Sequence, residues 1–294
     1  MDNMKFFAFR YFLVPFKQKT LFSSEIENKN DIMRNIFKEI EKTNKITHKI
    51  PNKFNKKNTL YFTHKFSNDI YLCKFSHEKQ ITKHEEINDD IQSTKDIDLP
   101  FIYLIIDLQR QIILFQKNTS TFRRITTAAN KFKKWTEIEI KNFDFSFKIE
   151  EITYENTFWD YVDKSTEIYN LNLHLNSPNL FEGKLKAEDL LKKLKGFFNN
   201  TETDINLENE EGKLTLKKDI LKSFIKYIAG GGGKWRLDSN YSGKRQKLKS
   251  QKNENIKIIE FPKNIEENLN TEYKIIIKNK IMEIDDIMND KNDL

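Results

Sequence analysis

Apolar positions in this chain repeat at a spacing of two in some stretches and near 3.6 in others, and the change of spacing marks the elements. Residues 5–16 combine aromatic and branched side chains and close at Pro15, which reads as a strand. From Asp31 to Thr43, Ile32, Ile36, Phe37 and Ile40 fall on one helical face behind the acidic Glu25 and Glu27. LYFTHKF and IYLCKFS alternate on either side of Ser67-Asn68-Asp69, a hairpin signal. Residues 78–99 are polar and charged and read as a surface excursion. Pro100 then admits FIYLII, a strand covered on both faces, and Asp107–Arg110 turns it into IILFQ. Residues 119–135 open on a Thr/Ser cap and place Phe122, Ile125, Ala129 and Phe132 on one side of a helix.

A second unit starts near Thr136. EIEIKNFDFSFKIEEI alternates as a half-buried strand or bent pair, a short helix covers 156–164, and EIYNLNLHL alternates again. Pro178-Asn179 interrupts the chain. Residues 187–198 form an amphipathic helix with Leu190, Leu191, Leu194, Phe197 and Phe198 apolar. INLENEEGKLTL reads as a hairpin about Glu211-Gly212, and 218–229 as a helix with Ile220, Leu221, Phe224, Ile225 and Ile228 inward. KWRLD and KRQKLKS flank Asn240–Gly243 as a further hairpin, and KIIEF and YKIIIKNKIMEI read as strands. The expected fold class is α+β, with two mixed sheet-and-helix domains of largely antiparallel strands at 1–135 and 136–284, and an acidic tail at 285–294 that frays.

Composition changes the picture in one place. The 294 residues carry a net charge of +7, yet residues 217–252 alone hold eleven Lys/Arg against Asp219 and Asp238, a local +9 that leaves the rest near −2. A charge excess this concentrated marks a polyanion site, and phosphate backbones are the commonest such partner. Lys234, Trp235, Arg236, Lys244, Arg245, Lys247 and Lys249 are the candidate nucleic-acid contacts. On a strand, Lys234, Arg236 and Asp238 share one face and Trp235 and Leu237 the other, so Trp235 either enters the core or offers a stacking platform. Gly230, Gly231, Gly232 and Gly233 exceed what a helix C-cap needs, and stand as a site of close backbone approach or a hinge. They are no P-loop, because the following lysine leads to Trp235 and a strand rather than to Ser/Thr and a helix. A separate basic group, Arg123, Arg124, Lys131, Lys133 and Lys134, divides between two helix faces.

The remaining chemistry is sparse. His48, His64, His77, His84 and His174 have no metal-type spacing, and the lone Cys73 excludes both a thiolate zinc site and an internal disulfide, as in a reducing compartment. No nucleophile elbow, dinucleotide fingerprint or Ser/His/Asp set occurs. The enzymatic alternative is a metal-dependent nuclease in which Asp107 and the Glu139-x-Lys141 triplet hold Mg²⁺ at a sheet edge; otherwise no cofactor is expected. The longest apolar run, Phe101–Ile106, falls far short of a membrane span of about 20 residues, and no signal peptide is evident. The expectation is a cytoplasmic protein without membrane insertion.

The order of signals in residues 5–135 carries a resemblance. An aromatic first strand (FFAFRYFLVPF), a hairpin (LYFTHKFSNDIYLCKF), a charged excursion and a proline-entered strand pair (DLPFIYLIIDLQRQIILFQ) follow one another. This order resembles the N-terminal pattern of phage-exclusion Rex A-type DNA-binding proteins and of defence subunits such as the B protein of Kiwa systems. The resemblance is one of element order, with no residue motif to transfer. It implies sequence-tolerant DNA binding in a bacterial antiphage system. A protein partner from the same operon stands beside this expectation, and exposed edge strands in a sheet-rich fold leave room for a homodimer. A protein-interaction subunit whose basic region meets an acidic partner is the remaining alternative.

Overall fold

The computed structural model describes residues 3–15, 29–50, 56–87, 89–177, 185–263, 265–267, 269 and 271–289. Among these it is an α+β fold of fourteen strands and six α-helices, in which every pair of named strands is antiparallel. The chain break expected at Pro178-Asn179 lies outside the described residues.

An eight-stranded sheet is organised by β1 (Asn3–Pro15), thirteen residues long. One edge of β1 pairs first with β14 (Ile258–Pro262) and then with β9 (Phe145–Glu151). Its other edge pairs with β8 (Ile112–Gln116), beyond which follow β7 (Phe101–Asp107), β4 (Ile70–His77), β3 (Lys57–Lys65) and β2 (Lys45–Lys49). Helices α1 (Lys29–Thr43) and α2 (Ile125–Glu139) cover one face, where Phe7, Phe9 and Tyr11 of β1 meet Phe37, Phe132 and Trp135. Helix α6 (Thr271–Asn289) covers the other, where Phe6 and Ala8 meet Tyr273, Ile277 and Ile281. Burial on both faces explains why β1, β7 and β8 read as continuous apolar runs.

A four-stranded sheet, in the order β11 (Glu202–Glu208), β10 (Ser165–Asn176), β12 (Gly233–Tyr241), β13 (Lys244–Lys249), stands beside it. Its inner face packs Leu171, Leu173, Trp235, Leu237 and Leu248 against α3 (Glu155–Asp163), α4 (Lys186–Phe198) and α5 (Lys218–Tyr227). A third, two-stranded unit, β5 (Lys79–Ile87) with β6 (Asp90–Asp98), pairs with no other strand among the described residues. No helix among the described residues is long and apolar enough to cross a membrane.

Several elements differ from the sequence expectation. YKIIIKNKIMEI is the helix α6, not a strand: Tyr273, Ile277, Ile281 and Ile284 recur at three and four residues and are buried, while Ile275 is exposed. The EIEI of residues 137–140 ends α2 rather than opening a strand, because Trp135, Thr136 and Ile140 continue the buried stripe of Phe132. Helix α2 also starts later than residue 119, at Ile125, with no side-chain cap. Residue 135 therefore falls inside α2, and the large sheet continues past it into β9 and β14. Residues 205–216 supply one strand, β11, and Gly212 turns the chain at φ +74° without a returning strand. Asp285 belongs to α6 and is ion-paired rather than part of a frayed tail.

Candidate nucleic-acid interface

Alternation along β12 decides the fate of each candidate. Trp235, Leu237 and Ser239 point inward, and Trp235 is 3% exposed, with ring centroids of Phe158 and Tyr161 at 5.2 and 5.9 Å. It offers no stacking surface, which corrects its place among the candidate contacts. Arg236, Asp238 and Asn240 point to the opposite, open face. Register places them opposite Lys249, Lys247 and Arg245 of β13. Lys244 pairs with Tyr241 and so belongs to the inward-facing set at the hairpin end, away from the other cations.

The cations on the open face are not equivalent. Arg245 is held by Asp238, its Nε and Nη2 donating to the two carboxylate oxygens at 3.2 and 3.1 Å, and its guanidinium lies 3.8 Å from the Tyr169 ring centroid. Its charge is largely spent within the protein. Lys234 is half-buried, and its field acts on Glu150, Glu151 and Glu202, so it serves the seam between the two sheets. Arg236, Lys247 and Lys249 are exposed and have no ion-pair partner among the described residues.

Behind these three, the open face is amide-rich and ends on the acids Glu208 and Glu210. Asn170 and Asn172 of β10 lie opposite Glu208 and Asn206 of β11, and Asn170 Nδ2 donates to Asn206 Oδ1 at 2.9 Å. A shallow groove of about 810 Å³ runs over this surface, from Glu208 and Asn206 to Arg236, Lys247 and Lys249. Lys249 and Gln251 also line a second hollow of about 650 Å³, which the start of α2 closes with Arg124, Thr126 and Asn130. Lys252 lines it too, 3.6 Å from Glu254. Thus Arg124, from a basic group that stood apart in the sequence, meets the β13 cations in one continuous track. The sequence signal was the Arg123-Arg124 pair; its neighbour could not be read from it.

Acids also line this track, Glu208, Glu210 and Asp238 in the groove and Glu151 and Glu254 in the hollow. Glu151 sits at the wall of the second hollow, and burial, with the neighbouring Glu150 charge, pushes its carboxyl up to about 7. Burial likewise raises Glu150, against the opposing influence of Lys234 and His174. Near neutrality the hollow therefore exchanges one negative charge for a proton.

The glycines act within the protein rather than on a ligand. All four are buried, and Ile228–Gly232 continues α5 into a kink at Gly231, whose backbone leaves the helical region. Gly233 lies where an added Cβ would stand 2.1 Å from the His174 carbonyl oxygen, and Gly231, at φ +91°, would put one 2.7 Å from Arg10 Cβ. Gly230 gives its carbonyl to Arg10 Nε at 2.6 Å. Arg10 is fully buried; its Nη1 donates to the Arg110 carbonyl and its Nη2 to Asp285, both at 2.9 Å. The close approach is thus of backbone to backbone and to Arg10, and no glycine faces the track.

The nuclease arrangement does not assemble. Asp107 is fully buried and accepts from the Arg110 backbone N–H and guanidinium at 2.9 and 3.0 Å, as the first residue of its turn. Glu139 ends α2 and bonds His48 of β2, which β4 and β3 separate from β7. Lys141 follows in a turn, exposed, and not on a strand. No group of three or more His, Cys, Asp or Glu side chains among the described residues is placed to hold a metal. No protein-family model matches the chain, no curated protein is similar to it, and no solved structure matches it.

Proposed function

We propose that this protein binds nucleic acid, DNA in preference, through phosphate contacts along the open face of β12–β13 and the adjoining hollow. The observation that carries the reading is the set Arg236, Lys247 and Lys249, exposed on one face and free of carboxylate partners among the described residues. Arg124 and Lys252 extend the set through a surface that shares Lys249 and Gln251. Cations spaced along a groove engage a polyanion irrespective of its sequence, because phosphates recur whatever the bases. Base stacking has no part here, since Trp235 is inside and Tyr169 already carries Arg245. A place in an antiphage defence system is a further part of the proposal, supported by the order of β1, the β3–β4 hairpin and the β7–β8 pair.

The test is fluorescence anisotropy with labelled duplexes and single strands of two unrelated sequences. Replacing Arg236 and Lys247 by glutamate should weaken both sequences by a similar factor, roughly tenfold or more at moderate salt. An affinity that the double reversal leaves unchanged would remove the assignment.

A further inference from the structure

Two other surfaces are left uncovered by the described residues, and their net charges are opposite in sign. The first is the β5–β6 hairpin, which continues β4 and β7 outward for about 30 Å at 3.4 Å per residue. Between residues 79 and 98 it holds Lys79, Lys83 and Lys95 against Glu85, Glu86, Asp89, Asp90, Asp96 and Asp98, three cations against six acids, a net of −3. Ile91 and Ile97, on one face of β6, are 74% and 61% exposed. A lone two-stranded hairpin is marginal in water and presents free backbone edges.

The second surface lies on α4 and α5. Leu190, Leu194, Phe197 and Phe198 follow at helical spacing, and Phe197 and Phe198 are 80% and 72% exposed. Ile220 of α5, also exposed, joins them across a groove of about 500 Å³ lined by Leu185, Leu190, Ile220 and Phe224. Helix α4 carries Lys186, Lys192, Lys193 and Lys195 against Glu188 and Asp189; α5 carries Lys218, Lys222 and Lys226 against Asp219. Lys226 is buried, so the surface of α5 carries +1 and that of α4 +2, or +3 together. An exposed apolar strip of this kind marks an interaction surface.

We infer that the occupant of the α4–α5 face is the β5–β6 hairpin of a second copy of this chain. Ile91 and Ile97 cover Phe197, Phe198 and Ile220, and Glu86, opposite Ile91 in the register, with Asp89 and Asp90 of the hairpin tip, meets the lysines beside them. Each chain then gives one arm and receives one, a head-to-tail contact that either closes into a ring or propagates. The inference is independent of the nucleic-acid reading, because Arg236, Lys247 and Lys249 take no part in it.

Analytical ultracentrifugation of nuclease-treated protein, up to about 100 μM, tests it at concentrations above the micromolar constants of small reversible interfaces. The mass should rise with concentration from 35.2 kDa to at least twice that value. Phe197→Asp/Phe198→Asp and, separately, Ile91→Lys/Ile97→Lys should each remain monomeric; all four residues are surface positions, and circular dichroism checks that both variants fold. Mixed together, the two variants should form a heterodimer, since one retains the arm and the other the groove. Glu85→Lys/Glu86→Lys should likewise weaken association and be rescued by the Phe197/Phe198 variant. A wild type that stays at 35.2 kDa, a mixture without heterodimer, or a monomer that captures anionic phospholipid vesicles through Phe197 and Phe198 would overturn the proposal.

Discussion

The eight-stranded and four-stranded sheets are built from similar antiparallel strands but are covered differently. The larger sheet has α1 and α2 on one face and α6 on the other, so its central strands are apolar in both directions. The smaller sheet has helices on one face alone, and its other face is polar, with Asn170, Asn172 and Asn206, the cations of β12–β13, and the acids Asp204, Glu208 and Asp238. A sheet covered twice has nothing left to offer a ligand; a sheet covered once keeps every second residue for solvent or a partner. The candidate function therefore belongs to the smaller sheet, while the larger one supplies the frame and, through α2, a wall of the adjoining hollow.

Stability measurements should separate the two regions most widely. Phe115, fully buried between Phe9 and Phe132 with centroids at 5.2 and 5.8 Å, should cost about 3–5 kcal/mol when truncated to alanine. Arg236→Ala on the open face should stay within about 0.5 kcal/mol of wild type. Urea titrations of the two variants check the contrast, which equal losses would break.

Arg10 joins the two regions, holding the Gly230 carbonyl that precedes β12 and Asp285 of α6 from within β1. Arg10→Leu should cost roughly 3 kcal/mol, because a buried charge pair loses one member. Wild type should unfold in one step followed by both near-UV dichroism and tryptophan fluorescence. Two separate transitions would show that the sheets fold apart.

A smaller effect sharpens the picture of the shared hollow. The Glu151 carboxyl is raised to about 7 from an ordinary value near 4.5, so the folded protein holds that proton where the unfolded chain has lost it. Stability from this group is greatest below about pH 4.5 and falls as pH rises through 7. Anion affinity should follow the same sign, rising a few-fold from pH 8 to pH 6 as the carboxylate is neutralised. Glu151→Gln should flatten both profiles. A slope that survives the substitution would assign the titration elsewhere, Glu150 being the nearest alternative. The smallest effect belongs to Lys244→Ala, which should leave nucleic-acid affinity unaltered because that side chain lies on the wrong side of the hairpin.

Much of the smaller sheet was legible in the sequence. The parity of KWRLD separated its charged from its apolar side chains, and the turn at Ser242-Gly243 joins β12 to β13 as the pattern indicates. The isoleucine-rich segment at residues 273–284 misled. Branched residues favour strands intrinsically, but in residues 273–284 the three- and four-residue spacing of Tyr273, Ile277, Ile281 and Ile284 outweighs that preference, and α6 forms against the sheet. The glycine run was opaque because its cause is tertiary: the His174 carbonyl and Arg10 come from distant strands. The same holds for the track, since nothing local ties Arg124 to Lys249.

The most direct test of the central claim is the dependence of DNA affinity on salt. With Arg124, Arg236, Lys247, Lys249 and Lys252 each neutralising one phosphate, log K should fall against log salt with a slope of about −4.5. Arg236→Ala/Lys247→Ala should reduce that slope by about 2 units, to near −2.7. A slope near zero, or one that the double substitution leaves unchanged, would contradict the account.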